Sequence, residues 1–83
     1  MLWDEIKARW AMSDAGYTGT ALEAWRTWRY LSVKDLVGIA GDRDKLIARV
    51  VANGSMTDAD AARVVDDWAA RLRLTDGQVH LLP

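Results

Sequence analysis

The chain has 83 residues, with 11 basic and 12 acidic side chains, one His, no Cys and a formal net charge of -1. A body of this mass hides only roughly 60% of the surface its unfolded chain exposes, which argues against a large active-site cleft. The missing cysteines exclude disulfides, and the near-neutral charge argues against a dedicated polyanion binder.

Stability therefore has to come from packing, and the composition supplies the means: 51% of residues are hydrophobic, with five Trp and no Phe. Charge is even along the chain, with four side chains of each sign before Leu31 and seven basic against eight acidic after it. No apolar run is long enough to span a bilayer. Acids at Asp4 and Glu5 stand where a secretory signal would carry basic residues, so the expected location is cytoplasmic.

In chain order, the apolar residues of 2–12 fall at Leu2, Trp3, Ile6 and Trp10, spaced by three and four, which predicts a first helix. Residues 13–16, Ser-Asp-Ala-Gly, read as a break. A second helix is predicted over 20–30 with Ala21, Leu22, Trp25 and Trp28 inward and Tyr17 at its entrance. Ser32 is a good N-cap with Asp35 three residues on, so a short third helix is predicted. Its inward residues read as Val33, Leu36, Val37 and Ala40, with Gly41 as its stop.

Asp42 caps a fourth helix carrying Leu46, Ile47, Val50 and Val51, which ends at Asn53-Gly54. Thr57 caps the fifth and longest, with Asp58 and Asp60 in its first turn. Its stripe of Ala61, Val64, Val65, Trp68 and Leu72 is the clearest in the chain, and Arg71 and Arg73 suit its C-terminal end. Residues 75–77, Thr-Asp-Gly, read as a turn, and 78–83 as a tail that lies back over the bundle or docks on another molecule. These elements predict an all-α protein, a compact bundle of four to five short helices, with a domain over 1–73 and a C-terminal tail over 74–83.

The succession of Trp28-Arg29-Tyr30-Leu31-Ser32, Gly41-Asp42-Arg43-Asp44-Lys45-Leu46, Gly54, Thr57 and Val65-Asp66-Asp67-Trp68 across 28–68 resembles the CsbD-like family of small bacterial general stress proteins. Trp28-Arg29-Tyr30-Leu31-Ser32 is similar to the family's tryptophan, leucine and capped acidic helix. Gly41-Asp42-Arg43-Asp44-Lys45-Leu46 resembles its Gly-x-Arg-Asp-x-Leu signature, the most specific match. Gly54 and Thr57 stand at its glycine and capping residue, and Ala61 with Val65-Asp66-Asp67-Trp68 resembles its closing helix. Upstream, residues 4–10, ending in Trp10, are similar to its opening helix. The chain reads as a divergent member, since the stretch between Trp10 and Trp28 is longer than the family's by about two helical turns and 74–83 has no counterpart. The resemblance implies two packed helical hairpins in a SAM-like arrangement and a role in general stress response, and it implies no particular chemistry.

Candidate sites follow from side-chain chemistry. Asp42 with Asp44, Asp58 with Asp60 and adjacent Asp66 and Asp67 have the oxygen donors for a cation, but helix first turns favour acids without any ion, and calcium-type spacing is missing. His80 has no second His or Cys to complete a zinc site. The serines and threonines have no base placed near them, and Gly16 and Gly19 flank a turn with no strand predicted before them, so no phosphate loop is read. An enzyme, a cofactor and a metal ion are therefore not expected. Arg43 is placed to bridge to a helix C-terminus or to Asp66 or Asp67.

Residues 25–30 interleave aromatic and basic side chains, Trp25-Arg26-Thr27-Trp28-Arg29-Tyr30. Bases could stack there while Arg26 and Arg29 neutralise phosphates, but a helix that buries Trp25 and Trp28 and leaves the arginines in water explains the same pattern. Five Trp exceed what a small core easily hides, and Trp and Arg are enriched at binding hot spots, so Trp3 or Trp25 is expected at a surface with Arg26, Arg29 and Tyr30. The function expected is a non-enzymatic protein-binding module, with self-association as one form of it. The alternatives are an inhibitor or adaptor of a host protein, encoded by a phage or mobile element, and a weak nucleic-acid binder through 25–30.

Overall fold

The computed structural model describes the backbone of residues 2–13, 16–75 and 78–81 and the side chains of 2–12 and 16–72. The expected breaks at Asp14-Ala15 and Asp76-Gly77 and the end of the tail lie outside the described residues, as do the side chains of Arg73 and His80. The chain runs through a first helix α1 (Leu2–Ala8), a hairpin of β1 (Trp10–Ser13) and β2 (Gly16–Gly19), and α2 (Thr20–Thr27). It continues through α3 (Val33–Ile39), α4 (Arg43–Gly54) and α5 (Asp58–Arg71) to a second hairpin of β3 (Leu72–Thr75) and β4 (Gln78–Leu81). The protein is thus α+β, with five helices and two antiparallel strand pairs among the described residues, and the expectation of an all-α bundle of two helical hairpins is corrected.

The first correction falls at Trp10. Arg9 N–H donates to Glu5 O at 3.0 Å, the last helical bond of α1, but Arg9 O then accepts from Thr20 N–H at 3.1 Å. That bond to a distant residue turns the chain out of the helix, and residues 10–13 pair with 16–19 instead, Trp10 opposite Gly19 and Met12 opposite Tyr17. Trp10, Met12 and Tyr17 pack against the core while Ala11 and Thr18 face water, a period of two that replaces the helical spacing. A strand therefore does precede Gly16 and Gly19. Gly19 has φ +64°, ψ -137° and caps α2 without a side chain. A Cβ there would collide with Arg9 O, so the close approach of the two backbone segments requires glycine.

The second correction concerns helix ends and faces. Helix α2 stops at Thr27, with Trp28 as its C-cap donating its backbone N–H to Ala24 O. In α3, Leu36 and Ile39 are fully buried, whereas Val33 and Val37 are each 57% exposed and Ala40 is also exposed. A seven-residue helix presents one face to the core, and Leu36 with Ile39 occupy it. The third correction is at the C-terminal end, where the strand β3 begins at Leu72 and pairs with β4, Leu72 opposite Leu81 and Thr75 opposite Gln78. β4 lies against α2.

Local sequence fixes the remaining starts. Ser32 and Asp35 form a reciprocal capping box, Asp42 Oδ1 accepts from Lys45 N–H at 3.0 Å, and Thr57 Oγ1 accepts from Asp60 N–H at 3.2 Å. Helices α3 and α4 are joined by Ala40 and Gly41, both left-handed, and a Cβ on Gly41 would meet Lys7 Cα at 2.6 Å. The core then gathers Ile6 from α1, Leu36 and Ile39 from α3, Leu46 and Val50 from α4 and Val65 and Trp68 from α5. Burying a side chain of this size contributes about 1.5–3 kcal/mol each.

Candidate interaction surface

The tryptophans are organised around one buried ring. Trp68, 3% exposed, meets Trp28 edge-on with ring centroids 5.3 Å apart and Trp3 at 6.2 Å. Aromatic pairs at these spacings add about 0.5–1.5 kcal/mol beyond area burial, so Trp3, Trp28 and Trp68 tie α1, the end of α2 and α5 together. Trp10 packs partly buried and donates its indole N–H to Leu36 O at 2.9 Å, which holds β1 on α3.

Trp25 is half-buried; Arg29 lies over its ring at 4.2 Å and Tyr17 beside it at 5.7 Å. Trp3 and Trp25 are both packed against the core, so neither projects as the free anchor expected from the sequence. Within the segment 25–30, Trp28 is buried, and the guanidinium of Arg26 sits 3.4 Å from the buried carboxylate of Glu23. Arg29 donates Nε–H to Arg26 O at 3.3 Å. The Trp28 ring is thus inside the core and Arg29 covers the Trp25 ring. Tyr30 stays 42% exposed, and partial burial of its ring pushes its phenol above the usual value.

The residues of the Gly41 to Leu46 motif act on the fold. Gly41 makes the close approach to Lys7, Leu46 is fully buried, and Asp44 is exposed with Arg43 Nη1 3.5 Å from its carboxylate. Arg43 donates Nε–H and Nη2–H to the two oxygens of Asp66 at 2.8 and 2.9 Å, clamping α4 to α5. That pair of bonds holds the Asp66 carboxyl below the usual carboxylate range and pushes the guanidinium up. Asp67, adjacent to Asp66, is exposed and carries no ion pair among the described residues.

What the sequence missed is the outer surface of α3. Val33 and Val37 lie one turn apart on one exposed ridge, and α3 begins three residues after the exposed Tyr30. Tyr30 and Met56, the latter 37% exposed, both approach Gly54 at the end of α4, within 3.5 and 3.8 Å of where its Cβ would stand. The available signal was length: a seven-residue helix with apolar residues at 33, 36, 37 and 39 has more than one core can take from it.

Among the described residues no cluster of three or more His, Asp or Glu could hold a metal ion, and no helix is long and apolar enough to cross a membrane. The arrangement defines a small α+β domain with a tryptophan-tied core and an exposed apolar ridge. No protein-family model, curated protein or solved structure matches the chain.

Proposed function

We propose that this protein acts without catalysis, by binding another protein through Tyr30, Val33, Val37 and Met56. The observation that carries the reading is the ridge itself: Val33 and Val37, each 57% exposed, project side by side from a helix that is rigidly capped and ion-paired. Ser32 and Asp35 close the capping box, and Arg49 holds Asp35 from α4 at 3.1 Å, so the ridge is preorganised and little ordering entropy remains to be lost on docking. Isolated exposed apolar residues need no explanation, whereas adjacent ones on a fixed frame mark contact surfaces. The resemblance of 28–68 to CsbD-like stress proteins supports placing that contact in a stress response.

The test uses Val33→Glu with Val37→Lys, both surface changes expected to move stability by no more than about 0.5 kcal/mol. A partner retained at constant stoichiometry by the native chain, or self-association in sedimentation, should disappear in the double variant while its melting temperature holds. A strict monomer that retains nothing, or a partner held equally well by the variant, would refute the reading.

A further inference from the structure

A second feature lies apart from the α3 ridge and shares no residue with it. Between the end of α2 and α5 is a half-open cavity of about 230 Å³, lined among the described residues by Thr27, Val64, Asp67, Trp68 and Arg71. Val64, Trp68 and Arg71 follow at the spacing of one helical face, with Asp67 beside them. Asp67 and Arg71 stand at i and i+4, the spacing at which opposite charges ordinarily pair on a helix. Here they do not meet: among the described residues neither has an ion pair or hydrogen bond, while neighbouring Asp66 is fully engaged by Arg43.

The floor of the cavity is fixed and apolar. Trp68 is held between Trp3 and Trp28, and its indole N–H is buried without an acceptor. Thr27 donates its hydroxyl to Glu23 O at 3.0 Å, which leaves the oxygen's lone pairs as an acceptor at the rim. The site therefore offers a cation, an anion, a neutral acceptor and an apolar floor around one small cavity, in a volume below the range of roughly 300–1,000 Å³ that holds drug-sized ligands.

From this arrangement we infer that the cavity binds a small zwitterion of amino-acid size with an apolar side chain. Its carboxylate lies against the Arg71 guanidinium, which suits a two-oxygen anion. Its ammonium is shared by Asp67 and the Thr27 oxygen, and its side chain covers Val64 and Trp68. Both charges of the ligand are needed, because each alone would leave one of the two opposite protein charges unanswered.

L-Leucine is the probe. Added to the isotope-labelled full chain, it should shift the Trp68 indole N–H and the amides of Thr27, Asp67 and Arg71 saturably, with a Kd on the order of 1 mM. Leucinamide, which lacks the carboxylate, and 4-methylpentanoate, which lacks the amine, should each bind about tenfold more weakly or worse. Arg71→Gln and Asp67→Asn, both at exposed positions, should each weaken leucine by a similar factor with an unchanged melting temperature. The inference is overturned if leucine gives no saturable shift, if either one-charge analogue binds as well as leucine, or if either variant retains native affinity.

Discussion

The helical part from α3 to α5 and the part made of α1, the first hairpin and α2 are held by different kinds of bond. In the former, each helix begins at a side chain that caps an amide three residues away, at Ser32, Asp42 and Thr57. In the latter, the decisive bonds cross the chain: Thr20 Oγ1 donates to Ile6 O at 2.7 Å, Thr20 N–H to Arg9 O at 3.1 Å and Trp10 Nε1–H to Leu36 O at 2.9 Å. A cap is a property of a few consecutive residues, and its loss is local. A bond between residues 14 or 26 apart exists only once the rest of the protein has formed, and its loss detaches a whole element.

The largest effect should come from Gly19→Ala, which adds a Cβ against the Arg9 carbonyl in a backbone conformation reserved for glycine. A cost of about 3 kcal/mol or more is expected, a large share of the total stability of a small domain. Thermal melting checks it; a variant that melts within a few degrees of the native chain would show that the hairpin is free to move off α1. Next comes Thr20→Val, which keeps shape but leaves the buried Ile6 carbonyl short of a donor, with an expected loss of about 2 kcal/mol. Amide exchange sharpens the comparison here, since protection should fall across both α1 and the first hairpin together.

Ser32→Ala should cost about 1 kcal/mol, the ordinary worth of an N-cap, with faster amide exchange confined to the first turn of α3. Exchange that spreads to α1 or α2 would erase the distinction between the two regions. The smallest effect is expected from Arg43→Gln, about 0.5 kcal/mol at neutral pH, because the pair with Asp66 is well formed but half-exposed.

That last variant has a pH signature. Asp66 is held below the usual carboxylate value by the hydrogen bonds from Arg43, and Asp35 by the backbone hydrogen bond from Ser32 N–H, with its hydroxyl contact and Arg49 adding to it. Groups lowered in the folded state contribute fully above the unfolded value of about 3.9 and lose that contribution as pH falls through the folded one. Stability should therefore decline on acidification below about pH 4, less steeply in Arg43→Gln, so that native and variant converge at low pH. Parallel acid unfolding curves would show that Asp66 gains nothing from Arg43.

The candidate site was legible only in pieces. Tyr30 stood out as an exposed aromatic beside arginines and remains one, but Trp3 and Trp25, which the composition suggested as anchors, are packed against the core. Val33 and Val37 were read as core because spacing by four is compatible with either face of a helix. Only the positions of α4 and the first hairpin show that Leu36 and Ile39 face inward. The C-terminal hairpin carried a signal that the helical reading overrode: Asp76-Gly77 between Leu72-Arg73-Leu74-Thr75 and Gln78-Val79-His80-Leu81 is a two-residue Asp-Gly link flanked by alternating apolar residues. For the first hairpin, Ile6 and Trp10 at i and i+4 argued for helix, and the contrary evidence was non-local.

The amino-acid sequence by itself determined the starts of α3, α4 and α5 and the main buried positions of α4 and α5, because capping and periodicity act within a few residues and need no partner. It offered Arg43 a helix C-terminus, Asp66 or Asp67 as partner, and the packing of α4 on α5 selected Asp66. Tertiary structure alone decided that residues 10–13 pair with 16–19, that Trp28 and Trp68 share one core while Trp25 is covered by Arg29, and that α3 shows its valines to water. The physical reason is the same in each case: a strand pairing, a ring contact or the choice between two apolar faces takes its energy from residues distant in the chain.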